Sequence, residues 1–145
     1  MTFSIGTATQ NDIYQHLDAC KSFFVPSLDS TVNLEAYAQK LFEKSVTFES
    51  WKDEALIGLI AAYFNDLNHR KGFITSVSVL PSFYGLGIAK TLLINVVNYG
   101  KGQGFKLLEL EVNTGNKSAF QLYAKDGFVP VIENGTSLKM IKQLV

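Results

Sequence analysis

VLPSFYGLGIAKTLL, residues 79–93, carries a strand end, a tight loop and a helix start without a linker between them. The β-type run Phe73 to Leu80 stops at Pro81, the turn passes through Tyr84-Gly85-Leu86-Gly87, and helical periodicity begins immediately afterwards. Two glycines leave backbone N–H groups uncovered by Cβ atoms. The unpaired donors of a helix N-terminus add partial positive charge, so the stretch predicts a phosphate seat. Two familiar phosphate motifs do not fit. A Walker A loop ending at Lys90-Thr91 needs glycine where Tyr84 and Ala89 stand, and a dinucleotide fingerprint needs a third glycine where Lys90 stands, early in the chain rather than past its middle.

Outward from this stretch the pattern is regular. Phe3 to Thr7 alternates as a short strand, and Thr9 to Asp12 offers caps for a helix carrying Ile13, Leu17 and Cys20. Asn33 opens a second helix with Leu34, Tyr37, Ala38, Leu41 and Phe42 at helical spacing. Val46 to Trp51 and Ala55 to Phe64 read as strands joined by a polar hairpin, and Asn65 to Lys71 turns the chain into the strand that feeds the glycine loop. That strand carries Thr75, Ser76 and Ser78, which predicts hydroxyls on both faces. The following helix stripes Ile88, Ala89, Leu92, Leu93, Val96 and Val97. Lys106 to Asn113 is the next strand, with Leu108, Leu110 and Val112 on one face and Glu109 and Glu111 on the other. Asn116 caps a helix stopped by Gly127, and a hairpin across Glu133-Asn134-Gly135 closes the chain. The order is β-α-α-β-β-β-α-β-α-β-β, with antiparallel neighbours except at the crossover through the central helix.

A chain of 145 residues matches one domain, taken as residues 1–145. Thirteen basic and thirteen acidic side chains balance, which argues against nucleic acid as a partner. Cys20 is alone, so the expectations are a cytoplasmic protein without disulfides and no metal site. No leader-like N-terminus or bilayer-length apolar run appears, so no membrane association is expected.

Val79, Pro81, Gly85, Gly87 and Ala89 resemble the acyl-CoA-binding motif of the GCN5-related N-acetyltransferase (GNAT) superfamily, with Tyr84 where that family usually has Gln or Arg. A second segment resembles the same family: Leu110, Val112, Asn116, Ala119, Leu122-Tyr123 and Gly127-Phe128. WKDEALIGLIA, residues 51–61, also looks like its hairpin. The resemblance implies the α/β GNAT acyl-CoA N-acyltransferase fold, a mixed, mostly antiparallel sheet of about seven strands flanked by about four helices. It implies acetyl transfer from acetyl-CoA, the acyl donor substrate, to a primary amine in a ternary complex. A non-catalytic acyl-CoA-binding or sensing module is the alternative, favoured by Tyr84 and by Thr75, which stands in the strand region where many members carry a glutamate.

On the same resemblance, Tyr84, Gly85, Leu86, Gly87, Ile88, Ala89 and Lys90 bind the coenzyme pyrophosphate. Val77, Ser78 and Val79 present backbone amides to the thioester carbonyl, and Asn116, Ala119, Phe120 and Tyr123 complete the coenzyme side. Tyr123 would serve the departing sulfur. Between groups titrating near 10 and 8.5, full proton transfer is uphill by roughly 2 kcal/mol, so a hydrogen bond to the thiolate is the expectation. Glu111, partly desolvated, stands as the first substitute base, acting through water, and a water chain with no dedicated base is the alternative. The amine acceptor is expected beside the first two helices and the final hairpin, where Phe23, Phe24, Tyr37, Trp51 and Tyr63 are candidate walls. His16 and His69 read as surface residues. The final hydrophobic strand leaves a homodimer open.

Overall fold

The computed structural model describes residues 1–145 and contains the expected elements in the expected order. Seven strands run Thr2–Ile5 (β1), Val46–Lys52 (β2), Ala55–Asp66 (β3), Lys71–Val79 (β4), Leu107–Asn113 (β5), Val129–Asn134 (β6) and Ser137–Gln143 (β7). Four helices run Gln10–Cys20 (α1), Leu34–Lys44 (α2), Ile88–Gly102 (α3) and Lys117–Lys125 (α4), with single 3-10 turns at Lys21–Phe23, Leu28–Ser30 and Pro81–Phe83. They form one sheet ordered β1-β2-β3-β4-β5-β7-β6, antiparallel except for β4 beside β5.

Local chemistry sets the boundaries. Thr9 accepts from the Asp12 amide while Asp12 accepts from the Thr9 amide, a reciprocal cap that starts α1. Asn33 and Asn116 cap α2 and α4 through their side-chain oxygens. Gly127, at φ +98°, ends α4 in the left-handed region, where a Cβ is strained. The β2–β3 hairpin turns through Asp53 and Glu54, with Asp53 at φ +56°.

The sheet separates two cores. On one side, α3 lays Ile88, Leu92, Leu93 and Val96 against Phe48, Ile60, Leu108 and Leu110. Gly58 permits that approach, because a Cβ there meets Ile88 Cγ2 at 2.7 Å. On the other side, Ile13, Leu17, Ala38 and Leu41 of α1 and α2 pack against Leu56, Leu59 and Ala61. Phe42 departs from the predicted stripe and is exposed, since Leu34, Tyr37, Ala38 and Leu41 already form the packed face. The final strand also differs from expectation. β7 lies inside the sheet between β5 and β6, and the edge on that side is β6, with Val129, Val131 and Ile132 uncovered.

The predicted two-faced hydroxyl distribution on β4 is not what forms. Ser76 pairs with Ala61 and Ile74 with Ala62, so Thr75 is an extra residue, a β-bulge. The slip shifts the alternation and turns Thr75 toward Tyr37 of α2 and Ser78 toward His16 of α1, while Ile74, Val77 and Val79 pack toward α3. Hydroxyls therefore collect on the α1/α2 side.

Candidate active site

β4 and β5 pair only from Lys71↔Leu107 to Ile74↔Leu110 and then part, β4 staying with β3 and β5 with β7. At the joined end Glu109 lies 3.4 Å from Lys71 and 2.7 Å from Lys139, tying β4, β5 and β7 together. Burial pushes the Glu109 carboxyl up, but Lys139 and Lys71 together outweigh it and hold the group below its ordinary range. Past the split, a cleft of about 550 Å³ opens between residues 74–79 and 110–113, closed at its ends by the glycine loop and α4.

The glycine loop has the conformation an anion requires. Gly85 and Gly87 sit at φ +80° and +74°, and a Cβ on either would meet nothing within 4 Å, so backbone angle rather than crowding demands glycine. Gly87 is the N-cap of α3 and supplies no side-chain acceptor. The amides from Gly85 through Lys90 donate to no protein acceptor, and the first helical bond is Thr91 N to Gly87 O at 3.0 Å. Consecutive free N–H groups, the positive end of a helix of 15 residues and the exposed Lys90 ammonium make an arrangement able to hold a diphosphate. Of the predicted loop residues, Tyr84, Gly85, Gly87, Ile88, Ala89 and Lys90 line the cleft. Leu86 does not; its side chain is exposed outside it.

From α4, Asn116, Ala119 and Tyr123 line the cleft, joined by Ser118 and Leu122. Phe120 does not, because its ring packs against the α3-side core. Tyr123 is 7% exposed, with its ring 6.0 Å from Phe128. Its hydroxyl makes no hydrogen bond within the protein, and burial pushes the phenol up to about 12. It is a proton-bearing donor at any physiological pH.

The profile of the Acetyltransferase (GNAT) family matches residues 11–128, the span from α1 to the end of the α4 turn. The chain belongs to that family. It is 32% identical over 71 residues to an uncharacterized N-acetyltransferase of Methanocaldococcus jannaschii, a match covering 49% of this chain and 31% of the relative's length. Its fold is similar to that of the PaiA N-acetyltransferase from Thermoplasma acidophilum in complex with coenzyme A, with a TM-score of 0.79, 19% identity and 99% of both chains covered. It is also similar to the ribosomal-protein-S18-alanine N-acetyltransferase of Escherichia coli, with a TM-score of 0.76, 16% identity, and 99% and 94% of the two chains covered.

Within the GNAT frame, the face of the cleft opposite Tyr123 is the α1/α2 side, and there the structure corrects the sequence reading twice. His16 is not a surface residue: it is 3% exposed, with Nδ1 2.9 Å from the Leu56 carbonyl oxygen and Nε2 2.9 Å from Ser78 Oγ. Helical spacing with Ile13 and Cys20 was the available signal, since it puts His16 on the buried stripe. Glu111 lines the cleft but is exposed, so the expected desolvation is absent. Phe23 and Phe24 line the cleft as expected, along with Cys20 and Val25. Tyr37, Trp51 and Tyr63 instead pack in the α1/α2 core, Trp51 donating to Ser4 Oγ at 2.8 Å and Tyr37 lying 3.0 Å from Thr75 Oγ1. No helix is long and apolar enough to cross a membrane.

Proposed function

We propose that this chain transfers an acetyl group from acetyl-CoA to a primary amine by direct attack, with both substrates bound in the split between β4 and β5. One observation carries the reading: the free amides of Gly85 and of residues 87–90 and the unpartnered Tyr123 hydroxyl open into the same cleft. A diphosphate held at the loop leaves the remainder of the coenzyme to run along β4 toward Tyr123. The backbone groups of Val77, Ser78 and Val79 that face away from β3 lack a strand partner, because β5 has diverged, and can polarise a carbonyl. Tyr123 hydrogen-bonds sulfur as it takes up charge, since outright transfer from a phenol at about 12 to a thiolate near 8.5 is uphill by roughly 5 kcal/mol.

The acceptor enters from the α1/α2 side. Phe23, Phe24 and Val25 make its wall apolar, which favours an amine carrying an apolar group. Glu111, water-exposed at the rim, draws in the ammonium form by charge. Cys20 is no acyl carrier: it is buried, and burial pushes its thiol up to about 11, keeping it protonated. The lone free thiol supports a cytoplasmic setting, and exposed β6 is where a second copy would pair.

The test is thiol release from acetyl-CoA with a panel of primary amines, alongside calorimetry with coenzyme A. Binding with amine-dependent release supports the reading. Binding without release from any amine makes the chain an acyl-CoA-binding module, and no binding removes the coenzyme assignment itself.

A further inference from the structure

The proposed reaction needs a group that removes a proton from the attacking nitrogen, and Glu111 does not have the burial expected of it. The α1/α2 side of the cleft floor holds a better-placed arrangement. Ser78 lines the cleft and is half-buried; His16 lies directly behind it, buried, and does not reach the cleft itself. A carbonyl oxygen only accepts, so the 2.9 Å contact with Leu56 requires the hydrogen on His16 Nδ1. Nε2 then carries the lone pair, and the Ser78 hydroxyl donates to it at 2.9 Å. The serine oxygen keeps lone-pair capacity for a donor in the cleft.

We infer that Ser78 and His16 form a proton relay in which Ser78 Oγ takes the proton of the attacking amine while passing its own to His16 Nε2. This inference rests on the acetyltransferase reading of the cleft. As the nitrogen bonds to the thioester carbon and the C–S bond breaks, one N–H proton moves to Ser78 Oγ and the serine proton moves to His16. The sulfur leaves as thiolate beside Tyr123 and gains a proton from solvent. After the amide departs, the imidazolium returns its proton through Ser78 to water, so the net change is one proton from nitrogen to sulfur. The two faces of the sheet divide the work: Tyr123 approaches from the α3/α4 side and Ser78 faces the α1 side, so bond making and bond breaking are served from opposite walls.

The surroundings keep the relay ready to accept. Burial holds His16 below its ordinary value, against the raising effect of the Leu56 and Ser78 backbone carbonyls, so it is neutral near pH 7. β3 meets the ring with the Leu56 carbonyl and β4 meets it with Ser78. Its own helix adds Cys20, whose Sγ lies 3.7 Å from Nε2 and whose thiol stays protonated, and Tyr84 of the glycine loop lies beyond Cys20. No charged side chain contributes to its shift.

The test uses O-benzylhydroxylamine, a weakly basic amine, with each rate referred to the concentration of its neutral form, so that its own titration does not shape the profile. In the intact chain kcat/KM falls as pH drops through a value below 6.5, when His16 becomes protonated and cannot accept. Ser78→Ala lowers kcat about 100-fold and removes that limb, with coenzyme A affinity unchanged. Ser78→Thr, which keeps the hydroxyl, restores most of the rate. His16→Asn, which keeps a donor to the Leu56 carbonyl but accepts no proton, behaves like Ser78→Ala. A Ser78→Ala protein within threefold of the parent and with the same acidic limb overturns the relay alone. Coenzyme binding without transfer to any amine by the parent chain overturns the acetyltransferase reading, and the relay with it.

Discussion

Replacing Tyr123 with Phe separates what its ring does from what its hydroxyl does. The ring fills the α3/α4-side core and tilts against Phe128 at 6.0 Å, and phenylalanine preserves both contacts. The hydroxyl has no acceptor in the protein, so its loss uncouples no internal hydrogen bond. Stability should hold or rise by up to about 1 kcal/mol, which for a chain of this length is a gain of at most about 4 °C in Tm. Coenzyme A affinity should stay within twofold, because the pyrophosphate seat lies on the loop before α3. Catalysis should respond differently. A hydrogen bond to a charged acceptor contributes about 1.5–3 kcal/mol, so losing one formed as the thiolate departs lowers kcat about 10- to 150-fold. Burial pushes the phenol up to about 12, so the hydroxyl stays protonated and adds no alkaline limb to the parent profile below about pH 10. Steady-state thiol release, calorimetry and a thermal scan on both proteins give all four quantities. An unchanged kcat would refute the thiolate role, and a Tm lowered by more than about 5 °C would show a structural bond that the fold does not contain.

Gly87→Ala forces a Cβ at φ +74°, which costs about 1–2 kcal/mol and places a methyl group in the open space before the free amides; calorimetry should show coenzyme A binding weakened about tenfold or more. Unchanged affinity would move the pyrophosphate elsewhere. Glu111→Gln should raise KM for cationic amines severalfold while leaving kcat and the KM of O-benzylhydroxylamine nearly unchanged, because the exposed carboxylate acts by attraction at the rim; a loss confined to kcat would return the base role to it. Glu49→Gln addresses stability. This fully buried carboxylate accepts from Ser4 Oγ, the Thr7 and Ala8 amides and the Thr47 hydroxyl, and an amide group in its place turns a donor toward donors. Chemical denaturation should show a loss of about 2–3 kcal/mol with coenzyme binding retained at low temperature.

What was legible in the residues was what depends on neighbours in sequence. Caps at Thr9, Asn33 and Asn116, the glycine turn at residues 85–87, and the periods of 3.6 and 2 are short-range rules, and together they determined the element order and pointed to the candidate anion seat. The tertiary structure decided everything that depends on register. The Thr75 bulge exists because β4 pairs with β3 two residues against one, and the pattern of Ile74 to Val79 does not announce it. The cleft exists because β5 leaves β4 after Ile74 to follow β7. His16 became part of the site only when α1 crossed the sheet and set its ring between Leu56 and Ser78, residues 40 and 62 positions away. Local patterning selects elements because its interactions lie within a few residues. The partners that bury a histidine or orient a serine are chosen by long-range packing, which a single chain of letters does not display.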